Sequence, residues 1–445
     1  MTLTGIAFVA IYLGGLLLAL GRHPIFGLVA YMITFYLHPP GRWWGAGLPD
    51  LRWSLAAAIV TYIAFLFHSS KARPQAPFMQ SGISKALLAF TIWLWVQTGW
   101  AMDAASHLEL SVLYTKYLVL LFLVYRILDS PAKLGIFLWV HVAGCFVMGW
   151  DAYTSYDGGR FEGFVPPNLN EANAGALNLV TGVYVIAALF LFGRWKAKGV
   201  LIGAMVFVLN GIITTISRSG FLELGVAGLI FGFFTPREKK SVVAGLAVLG
   251  LMAFIYLTNG VYWNRIDSLS SVGQEAVVDV NTGQDRIALM KAQIRMFEDY
   301  PLGTGHRGTV VLSTLYLDDR FMTTDAKGNR ARSSHNTFLT LAVEQGVIGA
   351  IFYFYMMWWS AITIFRTTKI VRGGDKLVEL SLVAVAAGLG AIFIGDMFVD
   401  YLKLEVRYWF LGILLVLPSI SRLETESGVV KRKSDTQLDR YGRPF

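Results

Sequence analysis

The strongest constraint on this chain is the recurrence of apolar runs that approach or exceed the width of a bilayer. About 18 apolar residues in a helix cross roughly 30 Å of hydrocarbon. Such segments fall near residues 3–20, 24–38, 53–68, 84–101, 111–127, 133–150, 173–193, 198–215, 219–235 and 240–258, and again near 336–366, 378–399 and 404–420. With 55% hydrophobic and only 15% charged residues, the chain carries more apolar side chain than one soluble core can bury. Lipid offers the backbone no hydrogen-bond partner, so the spans must be helices. The expected fold is an all-α polytopic membrane protein of about twelve transmembrane helices, the uncertain span lying at 3–38, where Gly21-Arg22-His23-Pro24 interrupts.

Charge orients the bundle. Lys71 and Arg73, Arg126 and Lys133, Arg194, Lys196 and Lys198, Arg237, Lys239 and Lys240, and Arg366, Lys369, Arg372 and Lys376 occupy alternate loops, which are therefore read as cytoplasmic. That bias accounts for the net charge of +9, and no nucleic-acid partner is expected. Cys145, the single cysteine, lies in an apolar segment and excludes an intrachain disulfide framework. The start, Met1-Thr2-Leu3-Thr4, has no basic n-region, so no removable signal peptide is expected.

The chain divides into N-terminal spans over 1–258, a large outward loop over 259–334, C-terminal spans over 335–420 and a basic tail over 421–445. The loop is not a linker. Gly283-Gln284-Asp285-Arg286 leads into an amphipathic helix carrying Ile287, Met290, Ile294 and Phe297, which Pro301-Leu302-Gly303-Thr304-Gly305 ends. This describes an ordered cap over the outer mouth of the bundle.

Arginines on that side break the positive-inside pattern. Arg160, Arg218 in the turn Ser217-Arg218-Ser219-Gly220, Arg265 and Arg286 all fall in outward loops. A cation there needs a partner or an anion, and a guanidinium grips phosphate with two parallel donors. Ordinary ion pairing with Asp267, Asp285 or Asp299 is the alternative. His335 stands where the polar loop meets the next span, and an imidazole there can accept a proton near neutral pH. Asn336 follows it, and Thr337, Thr340 and Glu344 share one helical face beyond, with Glu344 as a support or polar anchor.

Asp396 and Asp400 are four apart, on one face with Lys403 a turn on, placed to neutralise a site arginine or to pair between helices. Glu223, inside the span after Arg218, has the same two readings. No His/Cys/Asp cluster has ligand spacing, so no metal or other cofactor is required. There is no Gly-x-x-x-x-Gly-Lys-Ser/Thr and no Gly-x-Ser-x-Gly, which argues against a nucleotide-driven pump and an ordinary serine hydrolase.

Ser217-Arg218-Ser219-Gly220, Asp285-Arg286-Ile287, Pro301-Leu302-Gly303-Thr304-Gly305-His306, and Ser334-His335-Asn336-Thr337 followed by Glu344-Gln345-Gly346-Val347-Ile348-Gly349 together resemble the O-antigen ligase and O-antigen polymerase superfamily. The resemblance covers about residues 150–360, and the sequence is similar to ligase-like proteins associated with exosortase systems. It implies a metal-independent glycosyltransferase of the membrane GT-C type in the bacterial inner membrane, working on the periplasmic side. The implied donor is a glycan on undecaprenyl diphosphate and the implied acceptor a sugar hydroxyl of lipid A-core. By the same resemblance His335 is the general base, Arg218 and Arg286 hold the diphosphate with Arg265 and Arg160 beside them, and a direct displacement inverts the anomeric centre. A protein O-oligosaccharyltransferase or an O-antigen polymerase are alternatives within the superfamily, and a polysaccharide or lipid transporter is a distant one.

Overall fold

The computed structural model describes residues 2–71, 73, 75–193, 195–257, 283–324, 330–334, 336–400 and 402–440. Among them the chain forms α1 (Leu3–Gly21), α2 (Ile25–Leu37), α3 (Trp53–His68), α4 (Gly82–Gln97), α5 (Ala104–Ile127), α6 (Pro131–Thr154), α7 (Ala172–Phe192), α8 (Trp195–Thr214), α9 (Arg218–Phe234) and α10 (Lys240–Leu257). Then come α11 (Gly283–Asp299) and the short α12 (Gly308–Tyr316), followed by α13 (Thr337–Val371), α14 (Lys376–Gly395) and α15 (Glu405–Arg440). Each segment picked out by hydropathy is a helix, and the last one continues through residue 420 into the stretch read as a tail. The only strands among the described residues, β1 (Thr323–Thr324) and β2 (Arg330–Ala331), pair antiparallel in a small outer hairpin.

Eight of the described helices, α1, α5, α6, α7, α8, α13, α14 and α15, are long and apolar enough to cross a membrane, with α15 qualifying over Glu405–Glu424. Two shorter apolar helices, α3 and α4, accompany them. The chain is a polytopic, all-helical membrane protein in architecture. Large apolar side chains face outward along the helices, Leu229 and Phe233 on α9 and Trp358 and Phe365 on α13 among them. A water-soluble surface does not tolerate so continuous an apolar exposure; a lipid-facing one requires it.

Burial ranks the helices. α7 and α14 are buried along most of their length and pack against each other, with α9 against α14, at the centre of the bundle. On α14 a side chain at Gly390 would meet Ile230 of α9, and one at Gly388 would meet the ring of Phe410 of α15, so both positions keep neighbouring helices close. α1, α2 and α3 form a peripheral group with its own aromatic cluster of Phe8, Tyr12, Trp44 and Trp53.

One span is not continuous. Gly346, inside α13, has φ 70° and ψ −164°, a region that only glycine occupies readily. The span expected over 336–366 is therefore two half-helices, 337–345 and 347–371, meeting at a break. A break inside a membrane helix frees backbone groups that must be satisfied by protein. Thr304 donates its N–H to Val343 O at 3.0 Å, Gly305 donates to Glu344 O at 2.8 Å, and Val347 donates to Pro301 O at 2.9 Å. From α4, Gln97 Nε2 reaches Glu344 O at 2.7 Å and Trp93 Nε1 reaches Gln345 O at 2.9 Å. The Pro301–Gly305 loop and the end of α4 thus cap the break from outside the helix. A Cβ on Gly346 would lie 2.4 Å from the carbonyl carbon of Leu302, which is why the loop can approach only a glycine here.

Candidate active site

The outer end of α9 is built around Ser217. Its hydroxyl accepts the N–H of Gly220 at 3.1 Å, capping the helix so that Arg218 occupies the first helical position with its side chain exposed. The same hydroxyl donates to Asn173 Oδ1 at 2.7 Å. Arg160 joins this unit: its Nη2 donates to Asn173 Oδ1 at 2.9 Å and its Nε to Thr215 O at 3.2 Å, with Glu162 3.5 Å from Nε. Arg160 thus braces the turn that presents Arg218, and the acid beside it is Glu162 rather than one of the cap aspartates.

α11 carries Arg286 towards the same region. Its guanidinium is half-buried, and among the described residues nothing accepts from its buried Nε. Burial, then the neighbouring cations Arg218 and Arg332, hold Arg286 below the usual guanidinium range. Three arginines that disfavour one another therefore lie in one neighbourhood. Arg332, which is 4% exposed, was not singled out from sequence. Alternation along a strand would have placed it beside the exposed Arg330, which pairs with Asp319 at 3.2 Å, but β2 ends at Ala331 and Arg332, just past it, is buried.

Arg265 and His335 lie outside the described residues. The neighbours of His335 are held tightly. Gln293 Nε2 on α11 donates to Ser334 Oγ at 2.8 Å, which ties the helix of Arg286 to the residue before 335. On the other side Asn336 caps α13, accepting the N–H of Leu339 at 3.0 Å and donating through Nδ2 to Met397 O at 3.3 Å. Thr337 donates its N–H to Asp396 O at 2.8 Å and its hydroxyl to Val399 O at 2.7 Å.

The pair Asp396 and Asp400 does not share a helical face. α14 ends at Gly395, so Asp396 is the C-cap residue and Asp400 belongs to the connection to α15. Asp396 makes the helix-to-helix salt bridge, to Arg407 of α15 at 2.6 Å. Asp400 is drawn elsewhere: burial raises its carboxyl above the ordinary range, Lys403 opposes that shift and the Glu344 charge reinforces it. Glu344 is buried at the end of the first half-helix of α13, with Oε2 2.9 Å from His306 Nδ1, while Lys403 Nζ is 3.1 Å from His306 Nε2. Glu223 is fully buried in α9 and close enough to Asp396 for the two charges to interact.

The structure therefore brings together Arg218, Arg286 and the missed Arg332, with Arg160 bracing from behind. It gathers Glu344 and Asp400 into a separate polar cluster with His306 and Lys403. Residues 203–354 match the family model described as O-antigen ligase. The match supports the O-antigen ligase and polymerase superfamily. The matched stretch of the O-antigen ligase model contains Arg218, Arg286, Arg332 and Glu344, and stops short of Asp400. No curated protein matches the chain. A membrane enzyme resembling a glycosyltransferase is the activity that this superfamily suggests.

Proposed function

We propose that this protein is an O-antigen ligase that transfers a glycan from undecaprenyl diphosphate to a sugar hydroxyl of lipid A-core on the periplasmic side of the bacterial inner membrane. The observation that carries the reading is the convergence of Arg218, Arg286 and Arg332, with Ser334 held to the helix of Arg286 by Gln293. In the proposed reaction the acceptor oxygen attacks the anomeric carbon while the bond from that carbon to the diphosphate oxygen breaks. His335 takes the hydroxyl proton, and undecaprenyl diphosphate leaves with its charge held by the arginines. Guanidinium groups supply the charge stabilisation, so no metal ion or other cofactor enters the scheme, and attack opposite the leaving group inverts the centre. Arg265 is assigned to the same anion site; Arg160 acts through Asn173 on the turn of Arg218. The architecture proposed is a GT-C bundle of about twelve spans with residues 259–334 as its periplasmic cap.

The test is transfer by purified protein. It is incubated with undecaprenyl-diphosphate glycan and either lipid A-core or an acceptor peptide, and conjugates are resolved by gel and mass. Transfer to lipid A-core that His335→Ala abolishes, with donor binding retained, is the expected result. Transfer to peptide alone would make the protein an O-oligosaccharyltransferase, polymerisation of donor alone a polymerase, and transfer to nothing would sink the enzymatic reading.

A further inference from the structure

We propose that His306 is a positioning residue for the transfer, an inference that rests on the reading above for the identity of the reacting groups. His306 follows the loop that caps the break in α13. Lys403 carries only donors, so it donates to Nε2 of His306, which leaves the Nδ1–H to donate to the Glu344 carboxylate. Its backbone N–H is engaged as well, donating to His107 Nδ1 of α5 at 2.9 Å. His107 is oriented for this because its Nε2 is satisfied by Leu94 O at 2.8 Å. One residue thus joins the outer loop, the first half-helix of α13, the α14 to α15 connection and α5.

The position of this junction connects it with the chemistry. Upstream, the loop leads directly from α11, which holds Arg286 and, through Gln293, Ser334. Across the ion pair, Glu344 ends the half-helix whose cap, Asn336, adjoins His335. Ala292 and Met296 of α11 pack with Val343, the residue before Glu344, so the two helices meet at the same level. Locking Glu344 to the loop fixes the height of the 337–345 half-helix against α11, and with it the spacing of base and arginines. Displacement transfer depends steeply on such spacing.

Folding does not need His306 for this contact. The carbonyls freed at the break are already capped by Thr304, Gly305, Gln97 and Trp93, none of which acts through the imidazole. What the imidazole adds is a directional side-chain link from the loop to the Glu344 carboxylate and to Lys403.

The experiment compares His306→Ala with His306→Asn in the full-length protein in detergent. The Asn amide sits where Nδ1 sits, so it preserves the donor to Glu344 while removing any group able to carry a proton. For His306→Ala, kcat should fall roughly 10- to 100-fold while donor KM stays within about twofold. His306→Asn should recover most of the loss. Hydrogen exchange supplies a readout independent of transfer: peptides covering 301–306 and 343–349 should exchange faster in the Ala variant and as wild type in the Asn variant. An Asn variant as inactive as Ala, with wild-type exchange, would assign His306 a proton-transfer role and overturn the proposal. Full activity of His306→Ala would overturn it too, as would a loss confined to KM. If wild-type protein transfers no glycan, the functional reading falls, while the exchange comparison still decides whether His306 locks the break.

Discussion

Asp396 and Arg407 form an ion pair of 2.6 Å in which neither side chain is exposed. The carboxylate also accepts the Tyr353 hydroxyl through Oδ2, and the backbone carbonyl of Asp396 accepts the Thr337 N–H at 2.8 Å. The pair therefore anchors the start of α13 from the ends of α14 and α15. Removing one partner leaves a buried charge, at a cost of about 3–5 kcal/mol. Asp396→Asn should accordingly lower the melting temperature of the purified protein in detergent, and the double variant Asp396→Leu with Arg407→Met should recover part of that loss. A double variant less stable than the single would show that the pair is not the principal interaction at this position.

The two arginines of the hairpin should behave oppositely. Arg330 is exposed and paired with Asp319, whereas Arg332 is buried near Arg286. Arg332→Ala should weaken binding of the lipid diphosphate donor by roughly tenfold or more, about 1.4 kcal/mol, while Arg330→Ala should change it little. Titration of donor into each variant measures the difference. Equal effects would argue that the cluster does not act as one anion site.

Gly346→Ala should be among the most damaging small substitutions in the chain. The backbone conformation itself costs a side chain about 1–3 kcal/mol, and the new Cβ would lie 2.5 Å from Pro301 O and 2.7 Å from Gly303 N. The Pro301–Gly305 loop must then withdraw, uncapping Val343 and Glu344. Loss of transfer together with rapid exchange of the 301–306 amides is expected. Gly232→Ala, with open space around it, should be silent and serves as the control.

Asp103 caps α5, accepting the N–H of Ser106 at 3.0 Å and its hydroxyl at 2.8 Å. The N–H of Ser106 first, and then its hydroxyl, hold the Asp103 carboxyl below the usual carboxylate range. A depressed carboxyl contributes stability that is complete above its ordinary pKa and is lost as pH falls through the lowered value. Asp103→Ala should cost about 0.5–2 kcal/mol at neutral pH, and the gap from wild type should close on acidification. A gap independent of pH, followed by thermal unfolding, would remove the carboxylate as its cause.

Much of the fold was legible because it is local. Hydropathy located α1 to α10 and α13 to α15, with α5 starting earlier at Ala104 and α15 running on to Arg440, since a helix in lipid satisfies its own backbone and needs only apolar length. The amphipathic stretch after Gly283 was readable for the same reason. Arg218 and Arg286 stood out because cations on the outer side are costly, a property of each residue taken singly.

The tertiary structure decided what depends on partners far along the chain. Gln97 reaches Glu344 across 247 residues and Tyr353 reaches Asp396 across 43, distances over which no helical period carries information. So the sequence could show Gly346 within an apolar run, but only packing shows that the Pro301–Gly305 loop fills the break there. It could show Asp396 and Asp400 four apart, but the end of α14 at Gly395 sends one to Arg407 and the other towards Lys403 and Glu344. Arg332 joins the cluster just past the end of β2, and Arg160 braces the turn of Arg218 through Asn173. Composition and period determined that this chain crosses a membrane as helices and carries cations in the loops that join them. Which of those cations face one another was settled by long-range contacts, because charges separated along the chain share a site only where the fold removes the water between them.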